Sequence, residues 1–262
     1  MPDLPTYDVF AVKYAERDAQ RSEHFIGGDP HDGPMPMDYF VWVAVGPDRT
    51  FVVDTGFGPD DAARRQRRLL RSAADAVALA GVDAATAPNV ILTHLHYDHA
   101  GGLHHFPNAR FHLQDREMAF ATGRQMSHHL FSHAYTARHI ADLVIAVHDR
   151  RVVFHDGDSE VAPGVSVHLI GGHTRGLQAV RINTRWGWLV LASDATHYYE
   201  NMESARPFPI VFDVGEMING YDTLRRLAGP DGIVVPGHDP LVFDRHPAAD
   251  PSLTGIAVRL SG

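Results

Sequence analysis

The chain has 262 residues, and its 32 acidic and 23 basic side chains give a formal net charge of −9 with histidine neutral. Because 44% of the residues are hydrophobic and 21% are charged, the chain can bury a core and is not disordered. The acidic balance argues against nucleic-acid partners, whose phosphates require a positive surface. The absence of cysteine excludes disulfides, thiol nucleophiles and iron–sulfur clusters, so any metal site must use His, Asp or Glu. The 19 histidines are the feature that needs an explanation.

The N-terminal segment has no basic region followed by an apolar one, and no stretch approaches the roughly 18 apolar residues that a membrane span needs. We therefore expect a cytoplasmic protein without a membrane partner. No repeat, low-complexity run or flexible linker divides the chain, and its length suits one large α/β domain. The sequence predicts a single domain over residues 1–262.

Short apolar runs alternate with turn residues along the chain, and their β-branched and aromatic enrichment predicts strands. The predicted strands, in chain order, lie at 7–12, 39–45, 50–54, 89–93, 110–113, 152–154, 165–170, 178–183, 187–192 and 232–235. Helices are predicted at 61–80, 115–122, 132–147 and 214–227. Because several strands are consecutive and the helices fall between groups of strands, the pattern favours a two-sheet α/β sandwich over a barrel of alternating strands and helices.

Residues 90–102 read VILTHLHYDHAGG, an apolar strand that runs into a turn with four possible metal ligands. Side chains at i and i+2 of an extended segment point the same way, so His94 and His96 can reach one metal together. Asp98 and His99 follow after the chain has turned, and they can face a second metal beside the first. Imidazole nitrogen and carboxylate oxygen are good zinc ligands, so this segment predicts a metal site.

The pattern HxHxDH is the signature of the metallo-β-lactamase superfamily, and the sequence resembles that superfamily over roughly residues 38–240. Three later predicted strands end in GGHT, SD and PGHD, which carry His173, Asp194 and His238 in the order typical of the superfamily. An earlier strand ends in Asp54-Thr55-Gly56, another recurring segment of these proteins. The resemblance implies a four-layer αββα sandwich.

The resemblance also implies a site for two divalent metal ions. Its ligands would be His94, His96 and His173 for the first ion, Asp98, His99 and His238 for the second, and Asp194 as the bridge between them. Asp54 would support a ligating histidine from behind, since such imidazoles usually donate their other N–H to a carboxylate or carbonyl. We expect zinc first, although iron, manganese and cobalt also suit this donor set.

Within the superfamily, the sequence is most similar to the N-acyl homoserine lactonases. The bridging Asp194 argues against a true β-lactamase, which lacks an aspartate bridge. The segments at 98–107, 161–180 and 194–207 resemble those of the lactonases. One departure concerns the tyrosine that the lactonases place three residues after the bridging aspartate, because His197 stands at that position and Tyr198 follows it.

The predicted reaction is the opening of a lactone or similar carboxylic ester by a hydroxide that bridges two metals. Each metal lowers the pKa of bound water, and both stabilise the oxyanion that forms when the hydroxide attacks the carbonyl carbon. Asp98 would pass a proton to the leaving alkoxide, as in the lactonase family, and His197 or Tyr198 would hydrogen-bond the carbonyl. The expected partner is a small ester or lactone, with an N-acyl homoserine lactone, and hence quorum quenching, as one candidate. A homodimer is an expectation from the family alone.

Two other functions stay open at this point. A thioester hydrolase of the glyoxalase II type would use the same centre, but only 24 residues follow His238, too few for the helical domain with which that family binds glutathione. A metal-binding sensor without turnover is also conceivable, although the complete set of seven ligands argues against it.

Two segments outside the motif also carry expectations. Residues 64–71 contain five arginines, and with a net charge of −9 we interpret them as a solvated helix face rather than an anion-binding patch. Residues 31–39 alternate Pro and Met in an irregular stretch, which would border the active site, pack at the edge of the sandwich or form a dimer contact.

Overall fold

The computed structural model describes residues 4–261, which form two sheets with helices on their outer faces. The strands of the first sheet, in spatial order, are β13 (Ala257–Arg259), β1 (Asp8–Arg17), β2 (Met37–Val45), β3 (Thr50–Val53), β5 (Asn89–Ile91), β6 (Arg110–Gln114) and β7 (Val152–His155), with β4 (Arg68–Leu69) paired to β1. Strands β3, β5, β6 and β7 run parallel to one another, whereas the pairs β13–β1, β1–β2 and β2–β3 are antiparallel. The carboxyl ends of the parallel strands therefore lie at one edge of the sheet.

The second sheet has the order β12 (Ile233–Pro236), β11 (Gly187–Ser193), β10 (Gln178–Thr184), β9 (Val165–Leu169) and β8 (Ser159–Ala162). Its strands are antiparallel except for β11 and β12, which run parallel. All ten predicted strands overlap strands of the structure, whereas β4, β8 and β13 were not predicted.

Most of the helices are short. The bounds of the helices are α1 (Pro59–Arg65), α2 (Ala73–Leu79), α3 (Tyr97–Ala100), α4 (Asp115–Ala121), α5 (His129–Ser132), α6 (Ala137–His148), α7 (Tyr199–Glu203), α8 (Val214–Ala228) and α9 (Leu241–Arg245). Helices α7 and α9 contribute Tyr199 and Val242 to the apolar cluster between the sheets. Within residues 4–261, none of the helices combines the length and the apolarity that crossing a bilayer would require.

Buried side chains form three apolar clusters that define four layers. Strand β2 shows how, because successive side chains point to opposite faces of a sheet. Phe40 and Trp42 belong to the cluster between the two sheets, whereas Val41 and Val43 belong to the cluster under the helices of the first sheet. A third cluster packs α8 against the second sheet. The order helix, sheet, sheet, helix confirms the predicted αββα sandwich.

The predicted helix 61–80 is wrong, since α1, β4 and α2 occupy that segment. Gln66 adopts a left-handed conformation (φ 55°) and ends α1, which turns the chain so that Arg68 and Leu69 pair with β1. Ser72 then starts α2 by accepting a hydrogen bond from the backbone N–H of Asp75. The arginine-rich composition favours a helix throughout, and the partner strand that overrides it lies far away in the sequence.

The predicted helix 132–147 is correct only in its second part, because α6 begins at Ala137 and the shorter α5 ends at Ser132. Between them the chain bends at Ala134, whose carbonyl accepts a hydrogen bond from the backbone N–H of Tyr97. This hydrogen bond links the turn between α5 and α6 to α3, the helix that begins directly after His96.

Candidate metal centre

The predicted ligands follow strands of both sheets and meet at one edge of the sandwich. After β5 come His94 and His96, and the next turn, α3, carries Asp98 and His99. The other ligands follow β9, β11 and β12 of the second sheet and are His173, Asp194 and His238. All seven are buried, with at most 8% of the surface of each residue exposed.

The buried side chains form two groups whose ligand atoms lie within 4.8 Å of one another. The groups are His94, His96, His173 and Asp194, and Asp98, His99 and His238. Asp194 stands between them, with Oδ2 3.3 Å from Nε2 of His173 and Oδ1 3.0 Å from Nε2 of His238. One carboxylate thus faces both groups, as the bridging position requires.

The donor atoms fit divalent cations on the evidence of their own contacts. Nε2 of His173 lies 2.9 Å from Nδ1 of His96 and 3.2 Å from Nε2 of His94, so ring nitrogens of three buried imidazoles crowd one point. In addition, Nε2 of His99 and Oδ1 of Asp194 are buried only 3.3 Å apart, and despite such close contacts neither atom has a hydrogen bond of suitable geometry among the described residues. Such groups are costly to bury unless a cation satisfies them.

The pKa shifts differ between the two groups of ligands. Burial disfavours protonation of His99 and His238, but Asp194 outweighs it and raises the pKa of both rings, so an ion bound there would displace protons. The shifts in the first group suit metal binding directly. Burial, followed by the neighbouring imidazoles, lowers the pKa of His94 and of His96 well below the ordinary value, so both rings are neutral. Burial opposes ionisation of Asp194, but the imidazoles of His238 and His99 outweigh it and hold the pKa of the carboxyl well below its usual range. Neutral imidazole and ionised carboxylate are the forms that coordinate a metal.

The ring nitrogens that face away from the centre are held by acceptors. Nδ1 of His99 donates to Oδ2 of Asp54 at 2.7 Å, and this carboxylate also accepts from the backbone N–H and the hydroxyl of Thr93. Nδ1 of His173 donates to the carbonyl of Ile210 at 2.6 Å, and Nδ1 of His238 to that of Asp38 at 2.8 Å. These bonds orient the rings so that Nε2 points into the centre. Asp54 therefore lies behind the ring of His99, on the side away from the centre.

Glu117, which sequence reasoning missed, connects the loops that carry the first group. Its buried carboxylate accepts hydrogen bonds from the backbone N–H of Leu95 and the hydroxyl of Thr174, at 3.0 and 2.6 Å, and also from Tyr135 and Gly176. Leu95 lies between two ligands and Thr174 follows another. The only signal in the sequence is a carboxylate on the face of α4 that also buries Phe120 and Ala121.

The structure brings His197, but not Tyr198, to the centre. The His197 ring stacks on Phe208 with 3.4 Å between centroids, and its Nε2 lies 3.0 Å from Oδ2 of Asp194. It also forms a group with Asp194 and His238 that is close enough to share an ion. The Tyr198 hydroxyl instead lies against Nε2 of His24 and the carbonyl of Pro36, outside the lining of the cavity described next.

A cavity of about 260 Å³ opens above the ligands. Its apolar lining includes Met37, Tyr39, Phe208 and Ile210. Met37 and Tyr39 line this cavity, so residues 31–39 border the site, which agrees with the first expectation for this segment. Pro34, Met35 and Pro36 line a separate pocket.

Arginines also line this cavity, which corrects the expectation for residues 64–71. Arg65 and Arg67 belong to the lining and are partly buried, so the solvated-face interpretation is wrong for them. Arg64 and Arg68 are exposed, as expected. Arg67 lines the cavity because the chain turns at Gln66, the left-handed residue that ends α1. In an uninterrupted helix its side chain would point in a different direction.

Residues 35–238 match the family model of the metallo-β-lactamase superfamily, and the chain therefore belongs to this superfamily. It is 30% identical over 152 residues to an N-acyl homoserine lactonase of Bacillus cereus, which covers 57% of this chain and 55% of the lactonase. It is also 25% identical over 235 residues to a probable metallo-hydrolase of Mycobacterium bovis, over 75% of this chain and 73% of that protein. The match thus spans little more than half the length of the lactonase relatives.

Solved structures of lactonases share the fold. A quorum-quenching N-acyl homoserine lactone lactonase aligns with a TM-score of 0.76 at 22% identity, over 91% of this chain and 94% of that chain. A dizinc quorum-quenching lactonase in complex with a product aligns with a TM-score of 0.69 at 16% identity, over 91% and 92%. The predicted superfamily, the similarity to its lactonase branch and the fold are confirmed.

Proposed function

We propose that this protein is a metal-dependent hydrolase that opens a lactone or a similar carboxylic ester. The observation that carries the proposal is Asp194, whose two oxygens face separate groups of buried ligands on the floor of one cavity. The lactonases among its relatives support the choice of substrate class.

Two divalent ions held by these groups would supply Lewis acidity and an activated water at neutral pH. Zinc is our first candidate, with iron, manganese and cobalt as alternatives. The ligands of the first group, His94, His96 and His173, would hold one ion, and Asp98, His99 and His238 the other. The cavity walls would exclude bulk water and hold the ester against this floor.

Asp98 is the residue that we propose for proton transfer to the leaving alkoxide. It lines the cavity, and its Oδ2 lies 3.7 Å from Nε2 of His99 and 3.8 Å from Nε2 of His238. The hydroxyl of Tyr14 donates to its backbone carbonyl at 2.9 Å and fixes the start of α3. The carboxylate therefore reaches the cavity while its backbone stays in place.

His197 is the residue that we propose to hydrogen-bond the substrate carbonyl, in place of the lactonase tyrosine. It lines the cavity next to Asp194, and the stacked Phe208 restricts its ring. Tyr198 does not take this role, because its hydroxyl contacts Nε2 of His24 and the carbonyl of Pro36.

The test combines metal analysis with a panel of lactones, including N-acyl homoserine lactones, together with carboxylic esters and thioesters. We expect two divalent ions per chain and hydrolysis of a lactone or ester, which His94→Ala and Asp194→Ala should abolish. His104→Ala, an exposed histidine outside the centre, is the matched control and should retain activity. His197→Phe preserves the stacking ring but removes its N–H, and should lower kcat by about 100- to 1,000-fold.

Two results would contradict the proposal. One ion or none after reconstitution would exclude the two-metal centre. A metal-loaded wild type that hydrolyses nothing on the panel would exclude the esterase and lactonase chemistry, and hydrolysis of thioesters alone would favour the glyoxalase II alternative.

A further inference from the structure

The cavity above the metal centre carries positive side chains that ester hydrolysis does not itself require. Among the described residues, three arginines line it, and they come from separate segments. Arg17 ends β1, Arg65 ends α1, and Arg67 precedes β4. Glu23 is the acidic side chain that lines the same cavity besides the metal-centre aspartates.

The partners of these arginines differ. The guanidinium of Arg65 lies 3.8 Å from the centroid of the Tyr97 ring, and it donates to the carbonyl of His133 at 2.8 Å and to Asp61 at 3.4 Å. The charge of Arg65 and its N–H donors therefore already have partners within the protein. We interpret Arg65 as part of the wall rather than as a ligand-binding group.

Arg17 is only partly satisfied. Its Nη2 pairs with Oε2 of Glu23 at 3.0 Å, but the Glu23 side chain is 47% exposed, and exposed pairs are weak. Its Nε is buried without a hydrogen-bond partner among the described residues.

Arg67 lies in the wall without a compensating carboxylate. Its Nε donates to the hydroxyl of Tyr97 at 3.2 Å, and its Nη1 donates to the carbonyl of Arg65 at 2.6 Å. Within residues 4–261 no Asp or Glu oxygen lies within 4.0 Å of its guanidinium. Neutral acceptors orient the group, and Asp98 acts on its charge only from beyond contact distance. Among the described residues, Nη2 has no hydrogen-bond acceptor.

The position of Arg67 is fixed relative to the metal ligands. Tyr97, which accepts its hydrogen bond, directly precedes Asp98, and the Tyr97 hydroxyl contacts that of Tyr39 at 3.4 Å. The Tyr39 ring in turn packs edge-on against His238, with 5.0 Å between centroids. A rigid, pre-oriented guanidinium next to the reaction site is suited to selecting a substrate, because little side-chain entropy is lost on binding.

We propose that Arg67, assisted by Arg17, binds an anionic group on the substrate, so that the preferred substrate is a compact lactone or ester bearing a carboxylate or a phosphate. Planar guanidinium groups recognise both kinds of anion through paired hydrogen bonds. The cavity of about 260 Å³ suits a small molecule. This inference rests on the proposed hydrolase function and narrows its substrate class.

The test uses metal-loaded protein and lactones that differ only in charge. One pair is 5-oxotetrahydrofuran-2-carboxylate and its neutral carboxamide, and the other is 5-(hydroxymethyl)dihydrofuran-2-one with and without a phosphate on its hydroxyl. We expect the wild type to prefer at least one anionic member by 10-fold or more in kcat/KM. The pair that shows the preference identifies the anion as carboxylate or phosphate.

Substitutions test whether Arg67 causes the preference for the anionic substrate. Arg67→Gln should raise KM for the anionic substrate by about 10- to 100-fold, the loss expected for a charge-assisted hydrogen bond, and leave the neutral one unchanged. Arg67→Lys should retain part of the preference. Arg68→Gln is the matched control, because Arg68 is exposed and pairs with Glu16. No preference in the wild type, or a preference that survives Arg67→Gln, would overturn the proposal.

A binding measurement separates this proposal from that of hydrolysis. Glutarate and inorganic phosphate are titrated into the metal-loaded wild type, Arg67→Gln and Arg68→Gln by calorimetry. Because metal ions also bind these anions, the quantity to compare is the difference in anion affinity between the variants. Binding that weakens 10-fold or more only in Arg67→Gln supports the anion site even if no ester is hydrolysed. Hydrolysis without charge preference, with equal anion binding by all three proteins, refutes the anion site and leaves the hydrolase proposal intact.

Discussion

Glu117 is buried between the loops of the first ligand group, and its hydrogen bonds go to Leu95, Tyr135, Thr174 and Gly176 rather than to a predicted ligand side chain. Burial raises the pKa of its carboxyl, and hydrogen bonds from Thr174, Leu95 and other donors oppose that rise. Because its partners are donors, a carboxylate matches them better than an amide does.

We therefore predict that Glu117→Gln lowers the free energy of unfolding by about 2 to 3 kcal/mol, since the amide NH₂ would face hydrogen-bond donors. Metal affinity should fall as well, because the loops of His96 and His173 lose their common acceptor. Urea unfolding and metal titration measure the two effects. Asp115→Asn, an exposed acid on the same helix, is the control and should change little. Stability equal to that of the wild type would contradict this role for Glu117.

Residues whose roles follow from local spacing could be predicted from the sequence. The two-residue step from His94 to His96 and the turn that follows are local, so the pattern alone indicates shared coordination. Arg67 could not be placed in the cavity in this way, because its direction depends on the left-handed Gln66 and on pairing between distant strands. Glu117 was missed for the same reason, since its partners come from three separate segments.

At the scale of elements, helix α3 is held tightly against the loop that follows β3. The backbone N–H of Thr55 donates to the carbonyl of His99 at 2.7 Å, and Thr55 Oγ1 accepts from the backbone N–H of Gly102 at 3.1 Å. A Cβ on Gly102 would lie 2.1 Å from the carbonyl oxygen of Thr55, closer than any real contact. This close approach sets the position of His99.

We predict that Gly102→Ala destabilises the protein by about 1 to 3 kcal/mol, because the two backbones must separate. Metal binding should weaken in parallel through the displacement of His99. Gly33→Ala is a matched control, since a Cβ there meets nothing within 4 Å and Gly33 is not among the glycines with a positive φ. Thermal unfolding of both variants checks the prediction, and equal losses in both would contradict it.

Strands were more predictable than helices in this chain. Buried strands such as β2 are marked by nearly continuous apolar and β-branched residues, which is a local property. The short strands β4, β8 and β13 depend on edge pairing, and β13 joins the sheet through β1, far away in the sequence.

At the scale of the whole molecule, the layers share one interior. The cluster between the sheets contains Val9 and Val258 from the first sheet and Val180 and Leu191 from the second. Neither sheet can bury its inner face without the other. The two sheets thus share one core within residues 4–261, and a single domain over residues 1–262 stays a prediction.

We therefore expect the metal-free protein to unfold in urea in one cooperative transition, as single domains with a shared core usually do. Far-ultraviolet circular dichroism reports on the entire backbone. In Trp42→Phe, fluorescence comes from Trp186 and Trp188, which lie in the second sheet or its turn. The midpoints of both signals should coincide in this variant. Two separated transitions would contradict a single domain.

Because the ligands come from both sheets, the two sheets must come together before the metal ions can be fully bound. Residues 94–99 are synthesised long before residues 173, 194 and 238, and neither of the two ion sites is complete without a donor from the second sheet. A growing chain therefore cannot hold either ion with its full set of ligands until the second sheet has docked. The ions would be acquired last, so the metal supply where folding is completed would decide which metal the protein carries.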